Sequence, residues 1–276
     1  MQRNGVPYIL GFCGAICLVC AIVVSSTAVG LKERQETNKV LDRQKKVLAV
    51  AGLLKDGEAV TPEHIQSVFK KRIKAVIVDL KTGKEDAEAT KNAGDFDQKK
   101  AQKDPATSSA APKNRAGVKR VPNQALVYQV STNDMGSGGS GFKLGQYIFP
   151  VEGKGLWSTL YGFLAVAPDG NTVKGITFYE HGETPGLGGE VDNPSWKSKW
   201  PDRMIFGPKG SSAGTWGDVQ LKVKKGIAGS PAEDPHQVDG LSGATITANG
   251  VTYLVQFWLG DNGFGPYIRH ALGQAG

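Results

Sequence analysis

Cysteine is scarce in this sequence of 276 residues, and its placement excludes whole classes of chemistry. The three cysteines, Cys13, Cys17 and Cys20, all lie within the first twenty residues. The rest of the chain therefore provides neither a disulfide nor a thiolate metal site. Its four histidines are scattered rather than clustered, so the sequence predicts no histidine metal centre either.

The later part of the chain also lacks a basic excess, although the whole sequence carries a net charge of +7. Residues 1–120 hold 22 Lys and Arg against 13 Asp and Glu, whereas residues 121–276 hold 11 against 13. A nucleic-acid-binding core needs a basic surface, and residues 121–276 do not supply one. The distribution predicts a basic segment beside a membrane and no nucleic-acid partner.

Formal charge is absent from Asn4 to Leu31, a run of 28 residues dominated by Ile, Leu, Val, Cys and Ala. A helix of that length measures about 42 Å, which exceeds a hydrocarbon core of about 30 Å, so one tilted span fits. The run is too long for the apolar part of a cleaved signal peptide. We therefore predict an uncleaved transmembrane anchor over residues 1–31, with the cysteines packing as small apolar residues on one helix face.

Residues 32–120 are predicted to form a basic juxtamembrane helical region and connector. The anchor helix should continue into this charged segment. A second helix should start at Thr61-Pro62, which supply an N-cap and a proline in the first turn, and should end near Arg72. A strand is expected to follow over residues 73–80.

The part of this region from 85 to 120 is rich in Ala, Lys, Asp, Ser and Pro. Phe96 and Val118 are its large apolar residues, so it has little to bury. The composition predicts either a mobile connector or a thin surface excursion.

From residue 121 to 276 the sequence predicts a separate domain in which strands precede one long helix. Strand patterns cover residues 125–130, 147–151, 157–167, 173–179 and 220–224. The third and fourth flank a Pro-Asp-Gly-Asn turn and predict a hairpin. The expected fold class is α+β, with one N-terminal transmembrane helix followed by a mixed, mainly antiparallel sheet.

One glycine run, Gly136 to Gly141, formally matches the dinucleotide-binding pattern G-x-G-x-x-G. A dinucleotide loop follows a strand and opens a helix, whereas strand-like residues follow here. We predict a flexible loop without an NADH site, so the chain alone should not oxidise NADH.

The remainder is organised around Asp239 to Thr245, which has the pattern D-x-x-S-G-A-T. A helix pattern begins directly behind it, with one apolar stripe formed by Val251, Leu254, Val255 and Trp258. The N–H groups at a helix N-terminus bind anions, so a phosphate fits here. Taken alone, however, these residues favour an ordinary capped helix after a glycine turn.

The same residues nearly match the G-x-S-x-G nucleophile elbow of hydrolases, with Ser242 followed by Asp261 and His270 in hydrolase order. The match fails at Ala244, and too little sheet follows the serine for that architecture. A hydrolase is therefore rejected.

A second functional stretch runs from His181 to Glu190 and combines four glycines with a proline. Such a loop allows the backbone to approach something flat or bulky closely, although a purely structural loop is the default interpretation. His181 and Glu183 suggest metal binding or acid–base chemistry, but nothing nearby in the sequence completes such a site.

With these two motifs, the chain resembles the C subunits of bacterial Na+-translocating NADH:quinone oxidoreductases. The similarity lies in Gly155 to Ser158, Tyr161 to Phe163, Gly182 to Glu190, Asp239 to Thr245 and Phe257 to Gly260. The G subunits of the Rnf electron-transport complex share the two main motifs and are the alternative. The basic region 32–120 and Asn193 to Trp196 favour the quinone reductase.

The resemblance implies that FMN is joined through its phosphate to Thr245, and that it carries electrons rather than turning over a substrate. Asp239, Ser242, Gly243 and Ala244 are then the recognition frame of the attachment. Thr184, Gly186 and Leu187 are expected against the flavin ring, Trp157 nearby, and Lys225 as electrostatic support. The implied partners are the other subunits of the complex, a flavin transferase for maturation, and the membrane.

Two arguments conflict over the orientation of the anchor. Six basic residues follow the span within twenty positions, against Arg3 before it, which by the positive-inside rule places the domain in the cytoplasm. Long domains, however, cross largely regardless of charge. The resemblance implies a periplasmic domain, because the transferase that installs this kind of FMN is typically periplasmic. We predict a single-pass inner-membrane protein with its soluble domain in the periplasm.

Overall fold

The computed structural model describes residues 5–55, 59–135, 141–207 and 218–273. Two compact units divide the chain, Met1–Arg43 and Gln44–Gly276. The first consists of the greater part of helix α1 (Val6–Val50), which is long and apolar enough by length and composition to cross a membrane. Its side chains are exposed from Val6 to Val40. The helix therefore continues beyond residue 31, as its sequence predicts.

The second unit is an antiparallel sheet with helices packed against it. Its helices are α2 (Pro62–Arg72), α3 (Ala87–Thr90), α4 (Gln98–Lys103), α5 (Pro194–Lys197), α6 (Thr245–Leu259) and α7 (Gly265–Gly273), with a 3-10 helix at Gly188–Asp192. Its strands are β1 (Ile73–Asp79), β2 (Ser108–Ala110), β3 (Arg120–Pro122), β4 (Gln124–Ser131), β5 (Leu144–Lys154), β6 (Thr159–Val166), β7 (Val173–Glu180), β8 (Lys222–Val223) and β9 (Gln237–Val238).

The main sheet has the strand order β1-β4-β5-β6-β7, and every neighbouring pair is antiparallel. Two small pairs accompany it: β2 with β3, which is antiparallel, and β8 with β9, which is parallel. The predicted hairpin is β6 and β7. The mixed, mainly antiparallel α+β fold class is confirmed.

Helix α6 packs on one face of the sheet through its apolar stripe. The predicted stripe residues Val251, Leu254, Val255 and Trp258 are all fully buried. A Cβ at Gly153 would lie 2.5 Å from the Leu254 Cβ, and one at Gly250 would collide with the Lys154 carbonyl. These glycines let helix and strand approach closely, which fixes the N-terminus of α6 beside the end of β5.

The opposite face of the sheet carries an aromatic row that α2 covers. Phe69 of α2 contacts Tyr128 edge-on, Tyr128 contacts Phe163, and Phe163 stacks on Tyr179 with ring centroids 4.9 Å apart. Helix α2 begins as predicted, because the Thr61 hydroxyl accepts from the His64 N–H. Both faces of the sheet are therefore covered, and the candidate site lies at its rim.

Two alternatives were predicted for the segment 85–120, a mobile connector or a thin surface excursion. The structure shows the surface excursion. Asp86 and Asp97 cap the short helices α3 and α4 through their side chains. Ala93 is buried with Ile77 and Leu126, while Ala116 and Val118 belong to the main core. The prediction failed to anticipate this burial because alanines and side-chain hydrogen bonds hold the segment in addition to its few large apolar residues.

The predicted division at residue 120 falls inside a compact unit. Strand β1, from the supposed juxtamembrane region, pairs with β4 along its whole length, from Ile73 opposite Val130 to Asp79 opposite Gln124. The strand predicted over 220–224 is limited to the two residues of β8. Of the glycine run 136–141, Gly136 to Ser140 lie outside the described residues, as does Trp216.

Candidate functional site

The D-x-x-S-G-A-T motif forms the entrance of α6. Thr245 is the first residue of the helix and is exposed, as are Ser242 and Gly243. Ala244 occupies the N-cap position, and no side chain in the described part of the chain caps the helix. Gly243 has φ +70°, a left-handed conformation that turns the chain into the helix. The N–H groups of the first turn therefore lack the usual side-chain acceptor at a helix start.

Asp239 supports this turn rather than reaching into it. Its carboxylate accepts from the Ala228 N–H at 2.9 Å, and its carbonyl accepts from the Trp196 indole N–H at 2.8 Å. The next residue, Gly240, donates to the Gly226 carbonyl at 2.7 Å. These bonds tie the motif to the loop 224–228, where the side chain of Lys225 is exposed. Among the described residues Lys225 has no hydrogen-bond or ion-pair partner.

The glycine-rich loop folds back onto the motif. The N–H groups of Leu187 and Gly189 both donate to the Thr184 carbonyl, and Gly186, directly before Leu187, has φ +76°. The resulting turn brings the Leu187 Cδ2 to 3.0 Å from where a Cβ of Gly243 would lie. Two motifs that are more than fifty residues apart in the sequence are therefore in contact.

A single carboxylate, that of Glu183, joins three stretches of the chain. Its Oε1 accepts from the N–H groups of Trp157 at 2.9 Å and Ser158 at 3.1 Å. Its Oε2 accepts from the Leu156 N–H at 3.1 Å and from the Thr247 hydroxyl at 2.6 Å. The side chain is 5% exposed. The loop after β5, the glycine-rich loop and the first turn of α6 thus converge on one charged group.

The hydrogen bonds keep this carboxylate ionised. Burial by itself would raise the pKa of Glu183, but the bonds from Thr247 and from the three backbone N–H groups outweigh it and hold the pKa below its ordinary value of 4.5. A carboxyl whose pKa is lowered on folding stabilises the fold above that ordinary value. The stabilisation is lost as the pH falls from 4.5 through the lowered pKa.

Glycines surround the carboxylate because no side chain fits there. A Cβ at Gly155 would lie 2.6 Å from Oε1 of Glu183, and a Cβ at Gly188 would lie 2.8 Å from Oε2 and 2.6 Å from the Thr247 hydroxyl. Contacts this short are closer than real Cβ atoms adopt. Two of the glycines in the motifs are therefore required by Glu183.

His181 holds the start of the glycine-rich loop. Its Nδ1 accepts from the Glu183 N–H at 3.2 Å, which leaves Nε2 to donate to Asp192 at 2.9 Å. The hydrogen bond to Asp192 raises the pKa of His181 above 6.5, against the opposing effect of burial. The pair fixes the two ends of the loop 181–192 relative to each other.

Exposed apolar side chains lie on the segments that meet at the motif. Seven large apolar side chains are exposed in the described part of Gln44–Gly276. Four of them lie on the loops just described and the fifth in the first turn of α6, and together they form what we call the apolar rim: Leu156, Trp157, Leu187, Ile227 and Ile246. Trp157 is 70% exposed and Leu187 45%. An apolar ring of a ligand held at Thr245 fits such a surface.

Outside the motif itself, the predicted site residues thus fall into three groups. Leu187, Thr184 and Gly186 share the loop that contacts the motif, Trp157 joins through its backbone, and Lys225 lies on the supporting loop. Sequence reasoning missed Glu183 as the residue that connects them. The available signal was an acidic residue directly before a glycine-rich turn.

The rejected hydrolase interpretation finds no geometric support. Ser242 precedes the N-terminus of α6, whereas Asp261 follows its C-terminus and pairs with Arg269 at 2.6 Å. The intervening helix of fifteen residues separates the serine from this aspartate by about 20 Å. No Ser-His-Asp triad can form across it.

Comparison with known proteins gives consistent findings. Residues 155–260 match the family model described as FMN-binding domain. The C subunit of the Na(+)-translocating NADH-quinone reductase of Vibrio parahaemolyticus is 45% identical over 271 residues, which cover 97% of this chain and 95% of that protein. The protein of the same name from Pseudomonas aeruginosa is 44% identical, with 92% of each chain covered.

Solved structures give the same similarity. The crystal structure of Shewanella oneidensis NqrC superposes with a TM-score of 0.72 at 36% identity, covering 87% of this chain and 100% of that one. The crystal structure of the corresponding protein from Parabacteroides distasonis has a TM-score of 0.59 at 24% identity, covering 87% and 96%, and supports the fold.

Proposed function

The chain belongs to the family of C subunits of Na+-translocating NADH-quinone reductases, and on that premise we propose that it carries electrons within such a complex through FMN bound covalently to Thr245. One observation carries the proposal. Thr245 is exposed at the uncapped start of α6, directly behind the complete D-x-x-S-G-A-T motif and inside the FMN-binding domain.

The chemistry of the helix entrance supports a phosphoester at Thr245. An exposed hydroxyl is available for the bond, and the N–H groups of the first turn would supply donors to a phosphate on it. The positive end of the helix stabilises nearby negative charge by about 0.3–1 kcal/mol. Gly243 supplies the left-handed turn, Asp239 holds that turn from behind, and Ser242 and Ala244 complete the attachment frame.

The surroundings also suit the flavin ring. FMN supplies, when bound, the transfer of electrons one at a time between redox neighbours. Thr184, Gly186, Leu187 and Trp157 are placed to contact the ring, since their loops meet at the motif and the apolar rim is exposed there. The exposed ammonium of Lys225 adds positive charge for the flavin or its phosphate.

Other subunits of the reductase are the proposed redox neighbours, and a flavin transferase is the proposed partner in maturation. The relatives named above are C subunits of this reductase, which favours it over the Rnf alternative. We expect the isolated chain not to oxidise NADH. Its glycine run connects β4 to the antiparallel β5, whereas a dinucleotide loop connects a strand to a helix.

The first part of α1 is proposed as an inner-membrane anchor, with the second unit in the periplasm. The candidate span is apolar throughout and none of it is buried, which suits lipid contact. The basic residues after the span argue for the opposite orientation, but the domain that follows is long enough to cross regardless of charge.

The attachment is tested by intact mass and fragment analysis of protein matured in cells that install covalent FMN. We expect a mass increase of one FMN on the peptide that contains Thr245, and a yellow colour that survives denaturation. Thr245→Val should be colourless after denaturation, because valine lacks the oxygen that forms the ester. Thr132→Val, which alters another exposed threonine, should keep the flavin. Covalently yellow Thr245→Val protein would overturn the assignment.

A further inference from the structure

Glu183 carries a buried negative charge that no Lys or Arg among the described residues pairs with, and the same charge helps to raise the pKa of the adjacent His181. Its compensation comes from the Thr247 hydroxyl and the three backbone N–H groups. Hydrogen-bond donors distribute the charge of a carboxylate but do not cancel it. A fixed charge of −1 therefore remains inside the site.

This charge lies against the elements that the proposed flavin needs. Thr247, its partner, is in the first turn of α6, two residues beyond Thr245. Trp157 and Ser158 donate to the same carboxylate, and Thr184 follows it in the chain. A ligand held at Thr245 between Leu187 and Trp157 is thus close to the carboxylate, which is itself shielded from water at 5% exposure.

The sign of the effect follows from electrostatics. Each electron that enters the flavin adds negative charge, or draws a proton to offset it. A neighbouring anion disfavours the more negative state, just as it raises the pKa of an adjacent acid. The effect is strongest where solvent screening is weak.

We propose that Glu183 is a positioning and tuning residue whose buried carboxylate lowers the reduction potential of the flavin held at Thr245. The inference rests on the proposed function. In this role Glu183 does not react: it holds the Trp157 loop against α6 and supplies a permanent negative charge. The adjoining glycines, Gly155 and Gly188, exist to admit the carboxylate.

Two variants with opposite expected signs test the proposal by potentiometric titration of the purified, flavinylated chain. Glu183→Gln removes the charge and keeps the size, so the potential should rise. A tenfold gain in the ratio of reduced to oxidised flavin at fixed potential equals about 59 mV for one electron. Thr247→Val keeps the charge and removes its strongest donor, so the potential should fall.

The control is Glu85→Gln, the same change of charge at a carboxylate that bonds Gln129 and Tyr267 beside α7. It should leave the potential unchanged. If Glu183→Gln lowers the potential or leaves it unchanged, or if Thr247→Val raises it, the proposal is overturned. Thr247→Val decides the matter alone if Glu183→Gln does not fold. Absence of covalent flavin in the unaltered chain, detected by mass before titration, would instead contradict the proposed function.

Discussion

Two regions of this molecule expose large apolar side chains, and they differ in extent and geometry. Helix α1 is exposed on all sides from Val6 to Val40, and its first part carries no formal charge. The apolar rim consists of five side chains on three loops and the first turn of α6, the segments that meet at the motif with the exposed Thr245. The first surface carries no charge within residues 6–31 and becomes charged only from Lys32 on, whereas the second is bounded by glycines and hydroxyls.

The difference indicates what each surface contacts. A helix that is apolar all round and long enough to span the hydrocarbon core suits lipid, which has no shape to recognise. A small apolar surface beside an exposed hydroxyl suits one flat ligand in one orientation. Exposed apolar side chains therefore indicate different partners, depending on whether they cover a whole helix or only the turns around a polar group.

The largest expected effect concerns the side of the membrane on which the second unit lies. Protease added to intact spheroplasts should digest the domain completely, because a periplasmic domain is accessible without lysis. The measurement is loss of the full-length band in an immunoblot directed at the C-terminal residues.

A cytoplasmic protein in the same spheroplasts is the control and should survive until lysis. Protection of the domain until the membrane is disrupted would place it on the cytoplasmic side. The positive-inside count after Leu31 would then have decided the orientation.

The substitution Trp157→Ala tests whether the apolar rim contacts the flavin or is merely exposed. An indole stacked near the flavin quenches its emission, so the variant should show flavin fluorescence raised severalfold and more access for a soluble quencher such as iodide. Because the indole is 70% exposed, the free energy of unfolding should change by about 0.5 kcal/mol or less.

Phe142→Ala is the matched control, since Phe142 is exposed but lies outside the rim. It should leave the flavin emission as it was. Equal emission in the Trp157 variant and the unaltered chain would show that the rim does not cover the ring.

The smallest expected effect concerns the support of the rim. His181 should titrate above 6.5 in a nuclear magnetic resonance experiment, and Asp192→Asn should lower its pKa toward that value. Because the folded pKa is raised, the pair stabilises the fold fully below 6.5 and loses this contribution as the pH rises through the folded value. The stability difference should be about 1 kcal/mol or less, since Asp192 is partly exposed. If the pKa of His181 is the same in Asp192→Asn as in the unaltered chain, Asp192 is not the group that raises it.

Local patterns predicted the elements that depend on near neighbours. The cap and proline at Thr61-Pro62 determine where α2 begins, and the apolar stripe of α6 appears in the fold as the sequence indicates. Alternation likewise predicts the hairpin of β6 and β7. Each of these depends on spacing within about one turn or one strand, which a sequence displays directly.

Long-range pairing was harder to predict. Strand β1 was recognised, but its pairing with β4 across the whole segment 85–120 was not. The segment has few large apolar residues, so its composition predicts little burial. Its burial depends instead on alanines and on side-chain hydrogen bonds to distant backbone. The cost of closing such a loop and the contacts that offset it are invisible in composition.

By itself the sequence determined the apolar helix, the α+β class and the motif that ends at Thr245, because each can be recognised from patterns of neighbouring residues. Only the tertiary structure decided that Glu183 is the residue on which the site converges. Its four donors come from Leu156, Trp157, Ser158 and Thr247, on two different segments of the chain. A buried carboxylate is stable only when such donors surround it, and folding alone brings them together.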